Sequence, residues 1–272
     1  MKLPGGLLVD GLLCCDFSFK QITGSIERKI LESSEKVDSL VAQVTNILHA
    51  TLSHVAGIPA NKKLVRSLCS GDRQYLILQL QAIINPANRW LTTRCSDCDK
   101  LIQLQLIPGI LPVIAAGENF PATTTKLSIG NVSLRVPNGA DEGALLLQPN
   151  DGKKRLNHLL SRLLSQSDKK VDLNSLNTND LDIIDQTLEA MMPQASTVIS
   201  TRCPYCESVQ KINHDIYEWM SEASQDIEND IHQLAINYHW SEKEILALPK
   251  TRRKHYIQLI EQNNQEMFEE SL

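Results

Sequence analysis

The chain has no apolar run approaching the roughly eighteen residues that a membrane helix needs, which excludes a helical membrane protein. Its start, Met1-Lys2-Leu3-Pro4-Gly5-Gly6, lacks the charged segment and long apolar stretch of a signal peptide, so a soluble protein, intracellular when made, is expected. Positive charge is also short: 27 Lys and Arg face 32 Asp and Glu, for a net charge of -5. A protein built to neutralise a phosphate backbone carries the opposite balance, so nucleic acid is not the expected partner and basic clusters have to be judged locally. No acid–base pair, phosphate-cradling loop or nucleophile constellation stands out, so neither an enzyme nor a small-molecule substrate is expected. Nor is there an even cysteine count. Seven cysteines, four of them in two Cys-x-x-Cys pairs, suit reduced metal-binding thiols better than a secreted disulfide framework.

Those two pairs organise the chain. Thr93-Arg94-Cys95-Ser96-Asp97-Cys98-Asp99 and Thr201-Arg202-Cys203-Pro204-Tyr205-Cys206-Glu207 share the form Thr-Arg-Cys-x-x-Cys-acid. A Cys-x-x-Cys turn directs two thiolates at one cation, and two such turns supply the four sulfurs of a tetrahedral structural zinc site. The expected ligands are therefore Cys95, Cys98, Cys203 and Cys206, with His214 the only nearby alternative. Arg94 and Arg202 are placed to offset the site's negative charge. The separation of the pairs exceeds that in compact zinc ribbons, which calls for an insertion between them. A redox dithiol prefers the start of a helix; strands flank both pairs here. Lys100 to Leu106 alternates, with Ile102, Leu104 and Leu106 on one face, and 196–201 with 209–212 flank the second pair in the same way.

The remaining segments are read from periodicity and punctuation. Residues 3–24 form strand, turn and strand, with the adjacent Cys14 and Cys15 pointing to opposite faces. Ser25 is a candidate cap. A helix then runs through Val37, Leu40, Val41, Val44, Ile47, Leu48 and Leu52, with His49 and His54 at its end, and stops at Gly57-Ile58-Pro59. After a helical stretch at 62–68, Asp72 is read as the cap of a helix burying Leu76, Ile77, Leu80, Ile83 and Ile84, and Asp72-Arg73 as a cap with a surface ion pair. Pro108 and Pro112 end the first cysteine hairpin. A second hairpin turns at Gly130-Asn131 and leaves through Pro137-Asn138-Gly139. Leu145-Leu146-Leu147, Leu156, Leu159, Leu160, Leu163 and Leu164 make apolar helical surface, with His158 a satisfied or exposed histidine among them. A polar loop at 165–177 leads to a further helix opening at Thr178-Asn179-Asp180. Beyond 215, Ile216, Trp219, Met220, Ala223, Ile227, Ile231, Leu234, Ala235 and Tyr238 give one stripe of about six turns, long enough to dock another protein. Ser241 and Glu244 form a capping box. The basic run Lys250 to Lys254 is read as a solvated helix face, its charge cancelled by Glu261, Glu266, Glu269 and Glu270.

The fold class expected is α+β: a small β-hairpin, zinc-ribbon-like core interrupted by a helical insertion, with helical N-terminal and C-terminal regions. The segments are 1–86 (hairpin plus helices), 87–139 (first cysteine hairpin and the hairpin after it), 140–193 (helical insertion), 194–215 (second cysteine hairpin) and 216–272 (C-terminal helices).

Several short stretches together carry a family resemblance. They are Leu3-Pro4-Gly5-Gly6, Gly71-Asp72-Arg73, Arg94-Cys95, Pro137-Asn138-Gly139-Ala140-Asp141, Cys203-Pro204-Tyr205-Cys206, Tyr238-His239-Trp240-Ser241, Glu244-Ile245-Leu246 and Leu248-Pro249. In this order the chain resembles baseplate-associated proteins of contractile phage tails and extracellular contractile injection systems, related to the T-even-type phage baseplate hub assembly family. It departs from that pattern at Leu78-Gln79-Leu80-Gln81, where similar proteins tend to carry Arg. The resemblance implies a non-enzymatic part in building a baseplate or hub, as component or assembly factor. Its partners are then baseplate, hub or tail-tube proteins, met in the bacterial cytoplasm during assembly, and retention in the finished particle is left open. The alternative is a zinc-ribbon nucleic-acid-binding regulator using Arg252, Arg253 and Lys254.

Overall fold

The computed structural model describes the chain except residues 36–38, 108–110, 167–170, 223 and 270–272; the side chains of 34–35, 221–222, 224–226 and 266–269 are also outside the description. Val37, Pro108, Ala223, Glu270, the side chains of Glu266 and Glu269, and part of the 165–177 loop therefore lie outside it. The fold is mixed α+β with small antiparallel sheets. It divides into two compact units, Met1–Ser18 with His54–Ile216, and Phe19–Ser53 with Tyr217–Leu272. The segment 1–86 is thus shared between units, because helix Gly24–Glu35 packs with the C-terminal helices.

In the first unit, strands Lys2–Val9 and Leu12–Phe19 pair with Leu8 opposite Leu13 and Val9 opposite Leu12. Asp10 and Gly11 turn between them with φ of 50° and 80°, as a two-residue hairpin link requires. Leu52–Val55 and Ile58–Pro59 continue the sheet. His54 is accordingly in a strand rather than at a helix end. Helix Leu40–Thr51, which belongs to the second unit, is capped by Ser39 and stops when Leu52 turns extended.

The helix around Asp72 also differs from expectation. It spans Ser70–Ile84, and its cap is Cys69, whose Sγ accepts the Asp72 amide at 3.4 Å. The Asp72 carboxylate reaches the chain start instead, accepting the amides of Gly5 and Gly6, each at 2.8 Å. Asp72 and Arg73 are buried, not a surface pair. Arg73 donates to the Val65 carbonyl at 3.1 Å and pairs with Glu142 at 3.2 Å. Most of this helix is enclosed, Leu78 and Gln81 included, while Ile83 faces out. Close approaches explain two glycines: a Cβ on Gly71 would lie 1.9 Å from the Pro193 carbonyl oxygen, and one on Gly139 2.6 Å from the Arg73 guanidinium. Ser70 also donates to Pro137 and Gly139 to Leu68, both at 3.2 Å. The stretches at 3–6, 71–73 and 137–141 therefore meet in one buried polar knot.

Ala122–Leu127 and Gly130–Arg135 form the next hairpin, with Leu127 opposite Gly130. The turn is Ser128-Ile129, two residues before the expected Gly130-Asn131. Asp180 sets it by accepting the Ser128 amide at 2.7 Å and hydroxyl at 2.5 Å. Leu164–Ser165 adds a third strand. Against this sheet lie helices Gly152–Leu163 and Thr178–Met191, opened by Asp151 and Asn177, while helix Gly139–Leu146, opened by Asn138, packs on Gly152–Leu163. Asn138 with Asp141, and Asn177 with Asp180, complete reciprocal capping boxes. Leu127, Val132, Leu134, Leu160, Leu163, Ile184 and Met191 make the shared core. Leu146 and Leu147 are exposed, so that part of the leucine run adds nothing to it.

The second unit is helical: Gly24–Glu35, Leu40–Thr51, Trp219–Glu222, Ser224–Tyr238, Glu242–Ala247 and Lys250–Glu269. Ser25 does not cap; its hydroxyl donates to the Leu246 carbonyl at 3.1 Å. The stripe from Ile216 is carried by two helices, with Ile227 and Leu234 fully buried. The Ser241–Glu244 capping box forms as expected. The basic run is not simply a solvated face. Arg253 is fully buried, donating to Glu27 at 2.8 Å, Asp230 at 3.2 Å and the Leu248 carbonyl at 2.9 Å. Lys254 pairs with Asp230 at 2.8 Å.

Candidate metal centre

Each cysteine pair sits at the tip of its own hairpin. Arg89–Arg94 pairs with Leu101–Leu106, and Val198–Arg202 with Val209–Asn213. Arg94 opposes Leu101 and Arg202 opposes Val209, so the two tips close in the same register. Their internal bonds repeat as well. Cys95 donates to Lys100 and receives Asp99; Cys203 donates to Ser208 and receives Glu207, all through backbone groups at 2.9 to 3.0 Å. Asp99 and Glu207 have φ of 56° and 60°, so the trailing acid of both heptads occupies the left-handed turn position. Amides two residues on point back at the first sulfur of each pair, Asp97 to Cys95 Sγ at 3.4 Å and Tyr205 to Cys203 Sγ at 3.5 Å. Such N–H···S contacts stabilise thiolate over thiol.

The tips bring together Cys95, Cys98, Cys203 and Cys206, with all four sulfurs within 4.8 Å of one another. Across the hairpins, Cys95 and Cys206 are 3.6 Å apart and Cys98 and Cys203 3.7 Å. Tetrahedral coordination with metal–sulfur bonds of about 2.3 Å spaces its sulfurs at about 3.8 Å, so this set fits a single ion. The thiols are not disulfide-bonded. Cys95 and Cys203 are buried, Cys98 is half-buried and Cys206 is exposed, and Ile102 covers the buried side.

Residues beyond the heptads hold the tips together. The buried Gln210 accepts the Ser96 amide at 2.9 Å and hydroxyl at 3.1 Å, and donates to the Ser208 hydroxyl at 2.8 Å. Ser208 Oγ in turn lies 3.1 Å from Cys206 Sγ and 3.5 Å from Cys95 Sγ. Lys100 Nζ sits 4.6 Å from the Tyr205 ring centre, a cation–π contact between hairpins. The sequence reading missed Gln210 and Ser208. Strand alternation, which puts Gln210 on the inner face with Ile212, was the available signal.

The electrostatics are those of crowded sulfurs. The Ser208 hydroxyl and nearby amides bring the Cys95 thiol down to about 6, and Ser208 lowers Cys206 as well. Cys98 moves the other way, to about 12: the Lys100 amide favours its thiolate, but burial and the neighbouring sulfurs outweigh it. Sulfurs this close cannot all be charged without a cation, and a bound dication favours the thiolate at every one. Arg94, expected to offset that charge, donates instead to the Asp99 carbonyl at 3.0 Å and its carboxylate at 3.5 Å. It braces the turn. Arg202 is exposed.

His214 is not among the clustered ligands; it is buried beside Leu78, Gln81, Arg89 and Leu106 in a small cavity. Cys14 and Cys15 are half-buried in the first hairpin, where Cys15 donates to the Gly5 carbonyl at 3.4 Å. Among the described residues no second group of three or more metal-ligating side chains comes together, and no helix is long and apolar enough to cross a membrane. Comparison with protein-family models, curated proteins and solved structures finds no match to this chain.

Proposed function

We propose that the four cysteines bind one zinc ion as a closed structural site, making the paired hairpins a zinc-ribbon-like clasp within a non-enzymatic structural or assembly protein of a contractile-tail baseplate or hub. The observation behind the metal reading is the sulfur spacing across the hairpins, 3.6 and 3.7 Å. An all-thiolate tetrahedral set selects zinc or iron, and a site whose four positions are all filled by protein sulfurs favours the redox-inert structural ion. Support for the tail assignment is the ordered family-like pattern of the sequence. Three of its stretches meet in the buried knot around Asp72 and Arg73. Function then lies in surfaces that dock baseplate, hub or tail-tube proteins. The nucleic-acid alternative is weakened because Arg253 and Lys254 are engaged by Glu27 and Asp230.

Metal analysis of the purified chain is expected to find about one zinc per molecule; stoichiometric iron overturns the choice of ion. Deleting the gene in its host is expected to stop baseplate completion, and recovery of intact baseplates from that strain rejects the assembly role. Salt-sensitive retention on DNA, lost when Arg252 and Lys254 are neutralised, is the result that favours the alternative.

A further inference from the structure

Resting on the metal reading above, we infer that the four-cysteine site is also an oxidation site with a defined order, in which a peroxide exchanges the metal clasp for a covalent one between the same two hairpins. Two independent observations carry this. The ligands are unequally covered: Cys95 and Cys203 are 2% and 1% exposed, whereas Cys206 lies at the surface. The sulfur pairs at 3.6 and 3.7 Å, Cys95 with Cys206 and Cys98 with Cys203, both run between hairpins. The point of attack is therefore Cys206, and a buried sulfur on the other tip, that of Cys95, stands 3.6 Å away to resolve it.

The chemistry closes with hydrogen peroxide as oxidant. The Cys206 thiolate attacks a peroxide oxygen, the O–O bond breaks, hydroxide leaves and a sulfenic acid forms. The Cys95 thiolate then attacks the Cys206 sulfur; the S–O bond breaks, a second hydroxide leaves, and the disulfide forms. Two electrons pass from the two thiolates to the peroxide, and the hydroxides take up protons as water. With two of its four sulfurs consumed, the ion is released. Cys98 and Cys203 remain paired across the hairpins for a second equivalent.

The outcome differs from that of a redox dithiol, in which each Cys-x-x-Cys closes on itself and the tips come apart. Here the links join residues 111 and 105 positions apart. Hairpin docking therefore outlasts loss of the metal in an oxidising setting.

The test uses the full chain, with zinc counted first. One equivalent of hydrogen peroxide is added in the presence of a chromogenic zinc indicator. Remaining thiols are blocked with N-ethylmaleimide and mapped by proteolysis and fragment-ion sequencing. The expected result is one zinc released per disulfide, Cys95 joined to Cys206, and maleimide on Cys98 and Cys203. A second equivalent joins those two. A first disulfide within a tip, Cys95 to Cys98 or Cys203 to Cys206, overturns the proposal, as does oxidation of Cys98 or Cys203 ahead of Cys206. A chain that purifies without zinc defeats the metal reading, while the disulfide map of the same reduced chain still decides the pairing. Hydrogen exchange supplies a second readout: protection at 89–106 and 198–213 is expected to be lost in the reduced, metal-free chain and regained after two equivalents. Failure to regain it also counts against the covalent clasp.

Discussion

Replacing Cys95 and Cys98 together with serine tests the clasp most directly. It removes one buried and one half-buried sulfur from a set whose members all lie within 4.8 Å. Two sulfurs remain on the second tip, too few for a closed site. When free zinc stands a thousandfold above its dissociation constant and binds only the folded chain, it adds about 4 kcal/mol of stability. A unit in the 150–250-residue class shifts its Tm by about 2–4 °C per kcal/mol, so wild type in buffered zinc is expected to melt about 8–16 °C above the double variant. Adding a strong chelator to wild type removes most of that difference, and zinc no longer moves the variant. Hydrogen exchange localises the effect. Hairpins Arg89–Leu106 and Val198–Asn213 lose protection, while helix Ser70–Ile84, held by the Asp72 and Arg73 contacts, keeps it. A double variant that retains one zinc, or melts as wild type does in zinc, refutes the clasp.

Other substitutions probe the frame around it. Gly71→Ala places a methyl group 1.9 Å from the Pro193 carbonyl oxygen, a backbone atom that cannot rotate aside; a loss of about 1–3 kcal/mol or more is expected in urea unfolding, and an unchanged midpoint contradicts the packing described. Arg253→Met leaves the buried Glu27 and Asp230 without their shared guanidinium and is expected to cost about 3–5 kcal/mol, measured by denaturant unfolding; a neutral result refutes the buried-network reading. Burial works to raise the Asp141 carboxyl, but hydrogen bonds from Arg135 and Arg162 at 2.6 Å hold it below the ordinary carboxylate value. The stability it contributes is therefore present above about pH 4 and lost as pH falls through the folded value. Asp141→Asn is expected to be less stable at neutral pH and to lose less stability between pH 5 and 3 than wild type; parallel pH profiles refute this.

What could be read from the amino-acid sequence was whatever a few neighbouring residues decide. The two Cys-x-x-Cys tips, the Ser241–Glu244 box and the first hairpin depend on chemistry spread over two to seven positions, so local pattern sufficed. The repeated acid after each pair was visible too, although its left-handed φ was not. Only the tertiary structure decided what depends on distant partners. Asp72 looked like a helix cap because a carboxylate at a helix start usually is one; the amides that engage it come from Gly5 and Gly6, more than sixty positions away. The turn at Ser128-Ile129 was set by Asp180, not by the glycine beside it. Arg253 passed for surface charge because Glu27, its partner, is 226 residues distant. The four sulfurs show both sides of this. Each pair was determined locally by spacing and turn chemistry, whereas their meeting required two hairpins to dock, with Gln210 and Ser208 supplying hydrogen bonds that no motif announces.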